Sequence, residues 1–536
     1  MSKVLSVKSG RPPVGLGSRM RRWHRLTGAV DVAGAYLRIL LAIASFLIYG
    51  SAVLALGQYR TAALVAERFP IASAVSTIVY GAPLGTAYSD VSARILDPNT
   101  TLDTALKQTA EGDMAPGALL SNGGAEGSGM GYYLIANCAL FLFGFHAVSP
   151  ILAVLALMGI SGAAFLWRFG SSYAVVVLLY FVGLTLLLFT PLVWTPTVAT
   201  EVPVGGIRYF CVVGVLPAFH LACELLDGGA SGRTIGWWRL CLLGAQAVIL
   251  VLAILTRTSN ATLLGVVGLI GLCSLWRHRR DRSQRWRQLG NGAVIAGVAV
   301  GFFALIVLLL PPNYLKDGRF TGATWHRAFV GLGENPEWPF GNLREVYDCD
   351  YADYLPGLKL NPGALDSNGG CVWQHYIHTH NYTPTQNSPV FDWGVYEPVV
   401  RDAFFYVVRN YPRQVLETYL FYKTRILYGE ITVAMHPQFD LTRYSRPLRG
   451  LFVAALIILL AFLLTPPAMA SPNRSPQIVW VTLILGLSAF PGYYVAWPGT
   501  AQTADLKLYT LVFAGAVLYA LVEWVPRTIA ARWQRA

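Results

Sequence analysis

Apolar runs of about twenty residues recur along this chain, and an α-helix needs a run of about that length to cross a lipid bilayer. Of the 536 residues, 54% are apolar and only 13% are charged, whereas an average soluble domain has about 25% charged residues. The mean hydropathy is +0.48. The sequence therefore predicts an all-α polytopic membrane protein. It disfavours a soluble fold and excludes collagen-like, disordered and disulfide-scaffold classes.

We count ten candidate transmembrane helices. The first apolar run is longer than the usual apolar region of a signal peptide, about 7–15 residues, so we interpret it as a retained span rather than a cleaved leader. The runs lie at 35–56, 148–167, 172–193, 206–226, 236–256, 259–276, 290–310, 449–465, 477–497 and 506–523.

Basic residues set the orientation. Segment 1–33 carries Lys and Arg against the single acidic residue Asp31, segment 277–287 holds a cluster of arginines, and the chain ends in further arginines. Ten spans place all three basic segments in the cytoplasm, as the positive-inside rule requires. The net charge of +13 is therefore a topology signal, and no nucleic-acid partner is expected. Counting 129–145 as a span would break this parity, so we predict an interfacial helix there, on the outer face.

This count predicts two long extracytoplasmic segments. The first, 57–147, is acidic, and the second, 311–448, should end in two amphipathic helices that Pro412 separates. The expected division follows these boundaries: a cytoplasmic N-terminus at 1–33, a transmembrane module at 34–310 that includes the loop 57–147, an extracytoplasmic domain at 311–448, C-terminal transmembrane helices at 449–526 and a cytoplasmic tail at 527–536.

Two cysteines lie together in the second outer segment. Cys349 and Cys371 are the only pair there, whereas the other cysteines fall in apolar stretches. Because an extracytoplasmic compartment is oxidising, we predict that these two form a disulfide. Two free thiols are the alternative, since sequence does not fix the separation of their Cα atoms.

A family resemblance rests on the acidic first loop and on the apolar segment GMGYYLIANCALFLFGF that closes it. Together they resemble the GT-C glycosyltransferases. The segments TWHRAFVGLGENPEWPFG and YEPVVRDAFFYVVRNYP resemble bacterial membrane proteins of this superfamily. The resemblance implies a multi-pass protein of the bacterial inner membrane, with both termini cytoplasmic. It also implies a polyprenyl-phosphate-linked sugar as donor, membrane lipids as surroundings, and an envelope lipid, glycan or protein as acceptor.

Sugar transfer from a lipid phosphate needs a carboxylate that takes the acceptor's proton. Asp90, in GTAYSDVSARIL, is the candidate general base because it resembles the acidic residue of the family's first outer loop. The alternative is a helix cap, and one residue can do both. Asp97, Asp103 and Glu201 are candidates for a second carboxylate, although Asp97, before Pro98, is also typical of a turn.

The leaving phosphate needs positive groups at the outer surface. Arg208 and Arg257 stand at outer ends of spans, against the charge preference there, and the planar guanidinium suits a phosphate. Snorkelling to headgroups is the alternative. His326 and Arg327 could join them, although a lone histidine is commonly a satisfied structural residue. Lys423 and Arg425 are expected to be lipid-facing anchors or contacts for an anionic lipid.

Three histidines, at 375, 378 and 380, lie close in sequence. Three imidazoles within six residues could hold zinc or a similar ion. No regular conformation brings His375, His378 and His380 onto one face, so they are weak metal candidates. The sequence does not firmly predict any cofactor, and a divalent metal ion remains an open alternative.

Two other functional classes remain open. An O-antigen ligase or polymerase also uses a large outer loop, but as a rule its first outer loop is short. A non-catalytic lipid or solute transporter predicts ionisable residues in the middle of spans and broken helices, and nearly all candidate spans here lack central charges.

Overall fold

The computed structural model describes the chain in several stretches, and inside some helices it describes only the backbone. The described residues are 14–58, 65–95, 97, 100–112, 119–120, 130–189, 210–227, 236–256, 260–310, 324–332, 335, 393–435, 441, 444–465, 474–488 and 508–523.

Almost all of the described chain is helical, as expected. The helices of the first half are α1 (Val14–Gln58), α2 (Val65–Tyr80), α3 (Ser89–Ile95), α4 (Leu102–Glu111), α5 (Met130–Phe143), α6 (Ser149–Phe169), α7 (Ala174–Leu188), α8 (Phe210–Val213), α9 (Val215–Asp227) and α10 (Trp237–Thr256). Those of the second half are α11 (Ala261–Arg277), α12 (Arg282–Leu309), α13 (Thr324–Leu332), α14 (Trp393–Asn410), α15 (Pro412–Glu417), α16 (Lys423–Met435), α17 (Arg446–Leu464), α18 (Ser475–Leu487) and α19 (Leu508–Glu523). A π-helical turn, Thr418–Tyr422, joins α15 to α16. Two short strands, β1 (Ala87–Tyr88) and β2 (Leu119–Leu120), pair antiparallel.

Five described segments are long and apolar enough to cross a membrane: Val32–Leu56, Ser149–Leu188, Trp237–Thr256, Arg282–Leu309 and Arg446–Leu464. Segment Ser149–Leu188 contains two helices, α6 and α7, which a tight turn at Gly170 joins into a hairpin. Shorter apolar helices, α9, α11, α18 and α19 among them, pack with these five. The chain is therefore an all-α multi-pass membrane protein, while the expected number of ten spans stays a prediction.

Hydrogen bonds between helix ends show which of these ends lie together at each end of the bundle. At one end, the side chain of Thr262, near the start of α11, donates to the carbonyl of Ser488, just after α18, at 2.7 Å. At the other end, Ser475 at the start of α18 hydrogen-bonds the carboxylate of Glu523, which ends α19. Helix α18 therefore runs antiparallel to both α11 and α19. We call the end that carries the connection 277–287 the arginine-rich end, and the other the opposite end.

Exposed tryptophans surround the arginine-rich end. Tryptophan is enriched at the interface between a membrane and water because its ring is apolar and its N–H is polar. This set of exposed tryptophans therefore marks a membrane surface close to the terminal turns of these helices. The tryptophans, with exposed fractions between 64% and 82%, are Trp167, Trp237, Trp238, Trp276 and Trp286.

Helix α7 is the centre of the bundle. All but one of its residues are buried, and it packs against α1, α17 and the hairpin partner α6. Phe181 of α7 has its ring 5.0 Å from the ring of Phe46 in α1. A helix that is apolar all round fits this surrounded position, since every face meets another helix.

Candidate functional site

Asp90 lies on a small packed unit between the first span and α6. We call this unit the Asp90 platform and define it by α2, β1, α3 and α4. Its own apolar core includes Val75 of α2, Val91 and Ile95 of α3, and Leu106 of α4. Helix α5 completes this core with Ala136. The described part of segment 57–147 therefore folds as a packed unit, which positions Asp90 more rigidly than an extended loop would.

The turn between α2 and α3 has a conformation that needs glycine. Gly81 and Gly85 have φ values of 65° and 84°, which side chains with a Cβ rarely adopt. After this turn, the backbone N–H of Tyr88 donates to the hydroxyl of Ser76 at 3.0 Å, and β1 pairs with β2. The start of α3, directly after β1, is thereby fixed against α2.

Asp90 is the second residue of α3 and is half-buried. Its Oδ1 accepts a hydrogen bond from the backbone N–H of Val91 at 2.9 Å. Among the described residues its other carboxylate oxygen has no hydrogen-bond partner. Asp90 therefore stands inside the first turn, where a negative charge is favoured by the helix dipole, and one of its oxygens remains free to accept a proton.

Two tyrosines lie beside Asp90, and the sequence argument missed both. The rings of Tyr80 and Tyr88 meet edge to face, with centroids 5.0 Å apart. Burial and the negative charge of Asp90 raise the pKa of Tyr80, while the charge of Arg94 opposes this. Neutral phenols and aromatic faces suit a sugar ring. The only available signal was the placement of Tyr80 and Tyr88 on either side of the glycine turn before Asp90.

Two candidates for the second carboxylate hold the chain in place. The Oδ2 of Asp97 accepts from the hydroxyl of Thr100 at 2.7 Å, and the backbone N–H of Thr100 donates to the carbonyl of Asp97, so Asp97 lies in a turn. The Oδ1 of Asp103 accepts from the backbone N–H of Ala147 at 2.8 Å, which ties α4 to the turn before α6. Both carboxylates therefore have structural partners.

Helix α5 joins the Asp90 platform to the bundle at the opposite end. A Cβ at Gly131 would overlap the carbonyl oxygen of Leu252 and crowd the backbone nitrogen of Thr256, so the two helices approach backbone to backbone. Met130 and Tyr133 pack in one apolar cluster with the end of α10 and of α12. Helix α5, on which the platform packs, thus contacts Thr256, the residue that directly precedes Arg257. Four apolar or small residues near the far end of α5 are exposed: Cys138, Phe141, Leu142 and Phe143.

The second outer segment is described only in part. Helices α13 and α14 pack through the ring of Trp325, whose centroid lies 5.2 Å from that of Phe405. The buried Asn335 donates from Nδ2 to the carbonyl of Gln414 at 3.1 Å. His326 and Arg327 lie on α13, which this packing holds, but their side chains are outside the described residues.

Lys423 is fully buried, so the expectation of a lipid-facing anchor was wrong. Lys423 directly follows the π-helical turn. Its ammonium lies 4.5 Å from the centroid of the Tyr419 ring. The π-helical turn changes the register of the helix surface and so turns Lys423 inward. Pro412 begins α15, as predicted.

Several predicted site residues lie outside the described part of the chain. Among the described residues no cluster of three or more histidine, cysteine, aspartate or glutamate side chains could hold a metal ion. The disulfide, the metal candidates and the phosphate ligands therefore stay predictions. The residues in question are Glu201, Arg208, Arg257, Cys349, Cys371, His375, His378 and His380.

No known protein family matches the chain, and no curated protein matches it. Among solved structures it is similar to ArnT from Cupriavidus metallidurans in the apo state, with 13% sequence identity and a TM-score of 0.32 over 90% of this chain and 76% of that chain. The same protein bound to undecaprenyl phosphate gives 14% identity and a TM-score of 0.30 over 90% and 77% of the two chains.

Proposed function

We propose that this chain is a membrane glycosyltransferase that transfers a sugar from a polyprenyl-phosphate-linked donor to an envelope lipid, glycan or protein. The observation that carries the proposal is the setting of Asp90. Its carboxylate is half-buried and keeps one oxygen open, and it lies beside Tyr80 on a folded platform at the opposite end of the bundle.

Asp90 is the proposed general base. An acceptor hydroxyl attacks the anomeric carbon as the bond from that carbon to the donor's phosphate oxygen breaks, and the open oxygen of Asp90 takes the hydroxyl proton. The hydrogen bond from the Val91 N–H fixes the other oxygen, so the carboxylate is oriented before the acceptor arrives. A positioned base of this kind contributes about 10²–10⁴ in rate.

Tyr80 and Tyr88 are the proposed sugar contacts. Aromatic rings suit the C–H surface of a pyranose, and the rings of Tyr80 and Tyr88 meet edge to face beside Asp90. Because the pKa of Tyr80 is raised, its hydroxyl keeps its proton throughout the physiological range. The pair would hold the sugar next to the carboxylate.

Arg257 is the first choice among the proposed phosphate ligands, before Arg208, His326 and Arg327. Support comes from Thr256, the residue before it, whose backbone packs on Gly131 at the start of α5. A guanidinium next to that contact would lie near the platform. It would stabilise the leaving polyprenyl phosphate through two parallel hydrogen bonds.

A transfer assay with the purified full-length protein in proteoliposomes tests the proposal. Polyprenyl-phosphate sugars with a radiolabelled sugar are the donors, and lipid, glycan and protein fractions of the envelope are the acceptors. We expect protein-dependent transfer of label from a polyprenyl-phosphate sugar and none from a nucleotide sugar. The contrary result is that no acceptor fraction gains label from any such donor and that a deletion strain loses solute or lipid movement. That result would overturn the proposed glycosyltransferase activity in favour of a transporter.

A further inference from the structure

Two arginines, each preceded by a tryptophan, converge on one glutamate at the arginine-rich end. Arg168, near the end of α6, and Arg239, near the start of α10, both hydrogen-bond the carboxylate of Glu224 in α9. The Nε of Arg239 donates to Oε2 at 2.9 Å, and Arg168 donates from Nε to Oε1 and from Nη2 to Oε2. Three helices are thereby joined at a single carboxylate.

The charges of this cluster do not balance. The Glu224 side chain is fully buried, while those of Arg168 and Arg239 are 25% and 16% exposed. Among the described side chains two guanidinium groups share this one carboxylate, which leaves one net positive charge. Both arginines use Nε and Nη2 for Glu224, so the Nη1 group of each has no hydrogen-bond partner in the described chain.

A polar layer behind the cluster holds the same three helices in register. His220, one turn before Glu224 on α9, has Nδ1 3.2 Å from the Nε2 of Gln246 in α10. Gln246 in turn accepts from the hydroxyl of Ser161 in α6 at 2.7 Å. All three side chains are fully buried. In the described part of the chain, the Nε2 atom of His220 has no hydrogen-bond partner. The two arginines are therefore held in a fixed arrangement, which reduces the entropy cost of binding a ligand.

The flanking tryptophans place the cluster at a membrane surface. Trp167 and Trp238 precede the two arginines and are 82% and 75% exposed, as expected for rings at the headgroup level of a bilayer. Phosphate groups of lipids lie at that depth. A guanidinium with a free N–H edge suits such a phosphate.

We propose that Arg168 and Arg239 bind the phosphate of an anionic phospholipid, with Trp167 and Trp238 packed beside its glycerol and acyl chains. The bound phosphate compensates the net charge of the cluster. This site is separate from the proposed donor site, because the two lie at opposite ends of the bundle. It therefore stands whether or not the chain transfers sugars.

The test measures lipid binding to the full-length protein in detergent by native mass spectrometry, with phosphatidylglycerol against phosphatidylcholine as the probes. Arg239→Gln should weaken binding of phosphatidylglycerol about tenfold, because it removes a charge-assisted hydrogen bond to the bound phosphate. Arg280→Gln, an exposed arginine in the connection 277–287, is the matched control and should change binding less than twofold.

Glu224→Gln separates lipid binding from a purely structural role. Removing this carboxylate raises the net charge of the cluster, so phosphatidylglycerol should bind as tightly as in the wild type or tighter, although the thermal midpoint falls in neutral lipid. A structural ion-pair network predicts equal loss of binding in Glu224→Gln and Arg239→Gln, and that result would overturn the site. Unchanged binding in Arg239→Gln, a loss in Arg280→Gln as large as in Arg239→Gln, or full competition by millimolar inorganic phosphate would overturn it as well.

Discussion

The guanidinium of Arg38 and the carboxylate of Glu523 lie 3.5 Å apart and join the first described helix to the last. Arg38 also donates to the hydroxyl of Tyr519 at 2.8 Å and to the carbonyl of Thr465 at 3.0 Å. Both charged side chains are 6% exposed. A buried ion pair thus joins the start of the first span to the end of α19 at the arginine-rich end.

Loss of one partner of this pair should be costly. Arg38→Met removes the Arg38 guanidinium from the buried Glu523 carboxylate, and we expect the free energy of unfolding to fall by about 3–5 kcal/mol. The thermal midpoint of the purified protein in a fixed detergent measures the change. Lys107→Met is the control, since Lys107 and Glu111 are 3.9 Å apart and mostly exposed, and such a pair contributes little. Equal thermal midpoints for Arg38→Met and the wild type would contradict a stabilising role of the Arg38–Glu523 ion pair.

Gly131→Ala should loosen the Asp90 platform from the bundle. The added methyl group overlaps the backbone of α10 at Leu252, so α5 must shift, and we expect lower thermal stability and lower sugar transfer. Gly265→Ala in α11 is the control, because a methyl group there meets no atom within 4 Å and alanine is favoured over glycine in a helix by about 1 kcal/mol. A stabilised Gly131→Ala protein would show that the two helices are not in backbone contact.

Tyr88→Leu should impair sugar binding more than chemistry. The substitution removes one ring of the pair with Tyr80, and an aromatic contact of this kind contributes about 1 kcal/mol. We expect KM to rise about fivefold in the transfer assay with kcat changed less. Tyr428→Leu, at a side chain 72% exposed, should leave both constants near those of the wild type. A selective fall in kcat for Tyr88→Leu would instead give this tyrosine a part in the chemical step.

The helices, but not the contacts between them, could be predicted from the sequence. The apolar stretch 129–145 predicted helix α5, and proline chemistry predicted the break between α14 and α15 at Pro412. It did not reveal helix α2 inside what was expected to be the first outer loop. Arg38 and Glu523 are 485 positions apart, and no local pattern links them. The packing of Tyr80 on Tyr88 depends likewise on a turn whose glycine conformations the sequence does not specify.

Thiol labelling tests the predicted orientation. Single cysteines are introduced at Ala93, exposed on α3, and at Arg280, exposed in the arginine-rich connection, after replacement of the natural cysteines. We expect an impermeant maleimide to label position 93 in intact cells and position 280 only after permeabilisation. Labelling of both positions in intact cells, or the reverse order, would place the Asp90 platform and the arginine-rich end on sides that exclude the proposed reaction.

The most direct test is the turnover rate of the Asp90→Asn protein in transfer from a polyprenyl-phosphate sugar. Asparagine keeps the size of the side chain and can still accept from the Val91 N–H, but it cannot take a proton. The account predicts that kcat falls about 10²–10⁴-fold while the thermal midpoint stays near the wild-type value, and that Asp103→Asn, at the carboxylate that holds Ala147, keeps most of its activity. An Asp90→Asn protein as active as the wild type would contradict it.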